Sequence, residues 1–147
     1  MGKEEMPLVA LNPMLEILKF EWFMYYLKRL LVSEEKVNVF IVHNPSFTDD
    51  RKKYGVLMAA FHTKRLVEAL KTLNKGIIMG EYEANKLIII STKDIELNLV
   101  SDSKDEIFNI TTGATASIEN DNEFSIMNRA LKALTIAQRK KINFQTL

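Results

Sequence analysis

Three short apolar runs set between segments of helical period constrain this chain more than any other feature. Val37–Val42, Ile77–Tyr82 and Leu87–Ser91 are rich in β-branched residues and bounded by polar clusters, which is how buried strands read. Glu83-Ala84-Asn85-Lys86 separates the second run from the third and predicts a hairpin. Ile95–Leu99 alternates apolar and polar residues and predicts a third antiparallel strand with one wet face. Leu8–Leu11, just after Pro7, reads as an edge strand, since proline cannot donate to a ladder.

The intervening segments have helix signals. Asn12-Pro13 places a capping side chain before a proline at the first helical position, predicting a helix over 13–33. Thr48 followed by Asp49 and Asp50 predicts a second start. From there Tyr54, Leu57, Met58 and Phe61 recur at i, i+3, i+4 and i+7, the spacing of a buried helical face. Thr63 is read as the cap of a further helix whose inner face is Leu66, Val67, Leu70 and Leu73, ending at Gly76. Phe124, Met127, Leu131 and Leu134 mark a last helix to about Lys141, and 101–122 reads as a connecting segment. The expected class is α/β in the α+β sense: one domain, 1–147, with helices on one face of a small, mostly antiparallel sheet.

Composition narrows the chemistry. With 147 residues, 47% of them hydrophobic, the chain is long enough for one core. It has no cysteine, so disulfides, thiolate zinc sites and cysteine nucleophiles are excluded, which fits a reducing cytoplasm. Residues 13–33 are apolar, but Glu16, Lys19, Glu21, Lys28 and Arg29 interrupt them, so neither a membrane span nor a membrane partner is expected. His43 and His62 match no metal-binding spacing, and the five glycines form no phosphate-cradling loop. No metal, cofactor or catalytic residue is therefore expected. A small enzyme using the Glu81/Glu83 pair is the least favoured reading, because next to Lys86 these carboxylates suit a solvated hairpin edge.

Charge is arranged in blocks. Residues 51–75 hold seven basic residues, Arg51, Lys52, Lys53, Lys64, Arg65, Lys71 and Lys75, against the single acid Glu68. Gathered on one face they would make the minimal footprint for a single-stranded nucleic acid, although many solvated helices carry as many lysines. In the last helix, Ile126, Ala130 and Ala133 lie beside the apolar stripe and widen it, which suits either core packing or the docking of a partner.

The segments 63–71, 77–79, 87–90, 106–110 and 127–134 together resemble the TPRKB-like small subunits of the KEOPS complex. In that family an "IxEAL" helix, here within Thr63–Lys71, precedes a strand, and an "EIFxI" segment, here Glu106–Ile110, precedes the last helix. The likeness covers roughly 56–138, and Val37–Pro45 stands as an insertion relative to it. The resemblance implies a non-catalytic accessory subunit that binds a small kinase/ATPase protein through Ile126, Arg129, Ala130 and Ala133. It also implies that Lys64 and Arg65 contact the unpaired 3′ end of tRNA during threonylcarbamoyladenosine formation. The alternative expectation is a dimerising scaffold of the roadblock or profilin-like type with no nucleic-acid role.

Overall fold

The computed structural model describes residues 11–12, 14–34, 36–83, 85–93 and 110–147. Its elements run α1 (Phe20–Ser33), β1 (Asn38–His43), α2 (Ser46–Tyr54), α3 (Val56–Leu73), β2 (Ile78–Glu83), β3 (Lys86–Ser91), β4 (Thr111–Ala116), α4 (Glu123–Lys140) and β5 (Phe144–Thr146). They form an α+β domain whose five-stranded sheet has the order β2-β3-β1-β4-β5. Every pairing is antiparallel except β4 with β5.

Strand β1 sits at the centre and is buried on both sides, which explains its unbroken apolar run. Val39 and Ile41 join Phe23 and Leu27 of α1 and Ile126, Ala130 and Leu134 of α4 in one core. Phe40 and Val42 point the other way, into a second core with Leu66, Val67 and Leu70 of α3. The helices therefore cover both faces of the sheet. The period-2 alternation of β1 sends its side chains to two cores at once.

Several boundaries move. The first helix begins at Phe20, not at residue 13. Asn12 does cap, accepting at Oδ1 from the amides of Met14 and Leu15 at 2.9 and 3.0 Å, but only one turn follows. Glu16 then takes a left-handed φ of 57°, and Leu18 bridges to the edge of β2. The break expected at Thr63 is absent. Its hydroxyl donates to the carbonyl of Ala59 inside one continuous helix, and the true break is Gly55, whose φ of 90° ends α2 and starts α3. Part of the expected connecting segment is strand β4, Thr-Thr-Gly-Ala-Thr-Ala, whose small and polar residues carry no apolar alternation. The strand expected at 95–99 lies outside the described residues, as do residues 8–10 of the expected edge strand.

Candidate functional site

The sheet end carrying the carboxyl terminus of β1 and the β2–β3 hairpin concentrates polar groups. The backbone amide of Asn44 donates to the carbonyl of Asn85 at 2.8 Å, tying the end of β1 to the hairpin turn. His43, at the last position of β1, has its two ring nitrogens 3.3 Å from the side-chain amides of Asn85 and of Gln138 on α4. A neutral imidazole has one accepting nitrogen, so it takes one of these two amide N–H donors, and its own N–H is met only by an amide turned to present its oxygen. Partial burial, and then the Lys86 ammonium, hold its pKa below the usual histidine range, with Glu83 pulling weakly the other way.

Beside this cluster lies a cavity of about 340 Å³ between α2–α3 and the hairpin. Phe47, Thr63 and Leu87 form its inner wall, and Phe20, Glu81, Tyr82 and Glu83 line the hairpin side. The rings of Phe20 and Tyr82 pack with centroids 5.4 Å apart. The Glu81 carboxylate accepts from Asn12 Nδ2 at 2.8 Å, and the Asn12 oxygen is itself held by two backbone amides. Asn12 thus orients Glu81 with donors only and leaves the carboxylate with unused acceptor capacity. A fixed carboxylate in the lining of such a cavity can take a planar group with adjacent N–H donors.

Glu81 and Glu83 do not act as a pair. A register shift separates them on β2, and Glu83 is engaged by Lys86 Nζ at 2.8 Å. Among the described residues no group of three or more His, Asp or Glu side chains could hold a metal ion.

The residues expected to dock a partner are part of the protein's own framework. Ile126, Ala130 and Ala133 are completely buried in the contact between α4 and the sheet. Arg129 reaches Thr115 Oγ1, the Ala116 carbonyl and both oxygens of Asp121. Conversely Phe124, read as core, is 66% exposed. The helix packs on the face one position round from the one that large side chains suggest, because small alanines let α4 approach the sheet.

The seven basic residues do not gather at one point. Arg51, Lys52 and Lys53 are exposed at the end of α2, with Lys64 and Arg65 two turns into α3. Lys71, near the far end of α3, donates to the carbonyl of Glu16, and Lys75 follows the helix. Helix α3 is roughly 25 Å long at its usual rise per residue, so the set divides into an elbow group and a distal pair.

The architecture matches solved structures closely. The GGDEF domain of DgcB from Caulobacter crescentus, in complex with c-di-GMP, superposes with a TM-score of 0.77 at 12% identity, over 96% of this chain and 94% of that one. The fold is that of a GGDEF domain. The S helix-GGDEF-EAL protein LapD from Vibrio cholerae, bound to c-di-GMP, gives 0.77 at 16% identity, covering 94% of this chain and 36% of LapD. The diguanylate cyclase SiaD from Pseudomonas aeruginosa, solved with its activator SiaC, gives 0.74 at 11% identity, over 94% of this chain and 61% of that one. No family model matches the chain and no curated relative does.

These matches correct the functional expectations. The KEOPS resemblance rested on short apolar motifs, whereas the GGDEF fold accounts for nearly the whole chain, including Val37–Pro45, which holds the central strand β1 and is not an insertion. The accessory-subunit role, the kinase/ATPase partner and the tRNA ligand fall with that resemblance, and so does the roadblock or profilin-like alternative. The expectation of a non-enzyme is overturned too, since the neighbours of this fold include diguanylate cyclases. The sequence signals missed were Asn12, Phe20 and Tyr82, which are distant in sequence and meet only through the β2 edge. Among the described residues no helix is long and apolar enough to cross a membrane.

Proposed function

We propose that this chain is a GGDEF-type domain of cyclic di-GMP signalling that takes a guanine base in the cavity between α3 and the β2–β3 hairpin. The observation that carries the proposal is the near-complete fold match to domains solved with c-di-GMP. The cavity supports it chemically. Guanine presents its N1–H and N2–H2 donors side by side, which a carboxylate oriented like that of Glu81 can accept, while Tyr82 and Phe20 supply an apolar wall for the purine. Its volume is in the range of small-molecule sites. The Gly-Gly-Asp-Glu-Phe string that gives the neighbours their name is absent from this sequence, and no two glycines are adjacent. The proposal therefore concerns recognition of the nucleotide. A single domain over 1–147 and a cytoplasmic location are part of the same reading, supported by the single five-stranded sheet and the absence of cysteine.

Calorimetric titration with c-di-GMP, GTP and c-di-AMP tests the reading. Binding of the guanine nucleotides in preference to c-di-AMP is expected, and incubation with GTP and magnesium in the same buffer reads cyclase turnover. A folded protein that binds none of the guanine nucleotides at millimolar concentration sinks the proposal.

A further inference from the structure

Tyr54, Leu57, Met58 and Phe61 have the sequence spacing of a core helical face, yet Gly55 breaks the helix after Tyr54 and all four are exposed. The side chains are 62, 62, 45 and 48% exposed, and neighbouring Val56 is 65% exposed. They cluster on the corner where Gly55 ends α2 and starts α3. This corner is held shut by His62 Nδ1 on α3, 2.8 Å from Asp50 Oδ2 on α2. The apolar corner is therefore a fixed feature of the fold, and five large exposed apolar side chains in one place mark an interaction surface.

Charge decides what covers it. Arg51, Lys52 and Lys53 precede the corner, and Lys64 and Arg65 follow Phe61 at i+3 and i+4, on its own face. The acids of these two helices are Asp49, Asp50 and Glu68, and Asp50 faces His62. A second copy of this chain meeting the corner about a two-fold axis would set these five cations against their own copies. An anionic surface takes both the apolar side chains and the cationic rim.

We propose that the α2–α3 corner is a membrane-surface anchor. Tyr54, Val56, Leu57, Met58 and Phe61 enter the headgroup boundary of an anionic bilayer, and Arg51, Lys52, Lys53, Lys64 and Arg65 lie over its phosphates. This is interfacial binding, with no span, the mode that combines an apolar face with flanking basic residues. It is independent of the nucleotide reading, because the cavity is lined by other residues.

Vesicle flotation is the test, with phosphatidylcholine vesicles against vesicles containing phosphatidylglycerol, at low and at high salt. The protein floats with the phosphatidylglycerol vesicles, and high salt weakens this. Because the side chains are already exposed, Leu57→Ser/Phe61→Ser folds normally by circular dichroism and loses roughly tenfold or more in partitioning. Lys52→Glu/Lys64→Glu loses roughly tenfold and loses the preference for anionic lipid. A folded protein that ignores phosphatidylglycerol vesicles overturns the proposal, as does unchanged partitioning of the Leu57/Phe61 variant. A mass doubled in solution that the same variant returns to monomer also overturns it, because the corner is then a self-interface.

Discussion

Arg129 on α4 grips Asp121 in the turn before that helix, with Nη1 3.1 Å from Oδ1 and Nη2 2.5 Å from Oδ2. The same guanidinium reaches Thr115 and the carbonyl of Ala116, so one side chain joins the last helix, its entry turn and strand β4. Asp121 also accepts from the amide of Ile118 and from Ser125 Oγ, and its side chain is 4% exposed. Asn122 caps the helix through a reciprocal bond with Ser125. The arrangement is an entry clamp for α4.

Arg129→Ala is expected to destabilise the protein by about 3 kcal/mol, because it leaves a nearly buried carboxylate without its counter-ion. The melting temperature should fall by roughly 5–10 °C for a domain of this size. A fall of less than about 1 kcal/mol in urea denaturation would mean that Ile118 and Ser125 suffice for Asp121.

The clamp is acid-sensitive with a defined sign. The hydrogen bonds from Arg129 lower the Asp121 pKa from 3.8 to about 2, against the opposing effect of burial. The folded pKa lies below the unfolded one, so the stabilisation is complete above the unfolded value and is lost as pH falls through the folded value. The stability gap between wild type and Asp121→Asn should therefore be constant above about pH 5 and close between pH 4 and 2. A gap independent of pH over that range contradicts the assignment.

His43 adds a loss of stability in the same direction, on acidification, but at higher pH. Burial and Lys86 depress its pKa below 6.5, so the unfolded chain binds the proton more readily than the folded one. Its contribution favours the folded state above pH 6.5 and weakens as pH falls below it, until the folded ring itself titrates. Urea denaturation from pH 8 to pH 5 should show a smaller loss of stability for His43→Gln than for wild type. Equal slopes for the two proteins would place the pH dependence elsewhere.

Gly113→Ala should be among the most damaging small substitutions. A Cβ there would fall on the backbone nitrogen of Leu134 and 2.6 Å from the carbonyl of Ala130, so α4 would have to lift off the sheet. Backbone atoms cannot rotate away, and a cost of about 3 kcal/mol or failure to fold is expected. A soluble, cooperatively melting variant within about 1 kcal/mol of wild type would show that α4 can shift cheaply.

Glu81→Gln tests the nucleotide reading at one atom pair. It keeps the size and the Asn12 contact but replaces one carboxylate oxygen by a donor, which opposes the guanine N1–H and N2–H2 edge. A loss of roughly tenfold in affinity for c-di-GMP is expected from one charge-assisted hydrogen bond. Unchanged affinity, with wild type binding well, moves the site away from this cavity without touching the fold assignment.

The strands β1, β2 and β3, the hairpin and the last helix were all legible in the sequence. Each is specified by a local pattern, such as the β-branched run of Val37–Val42, and local pattern is what sequence periodicity records. What periodicity does not record is which side of a pattern meets another element. Tyr54, Leu57, Met58 and Phe61 have core spacing but stand exposed, while Ile126, Ala130 and Ala133 became core because Gly113 and the alanines let two backbones approach. Strand β4 was invisible because its ladder comes from pairing with β1, and its small residues have no hydrophobic pattern of their own. The candidate site was legible only as Glu81 and Glu83. Asn12, Phe20 and Tyr82 join Glu81 through the contact of Leu18 with the β2 edge. The sequence by itself determined β1, β2, β3, the last helix and the core-forming composition. Only the tertiary structure decided which faces were covered, because burial depends on the neighbour across the gap and that neighbour is distant in the chain.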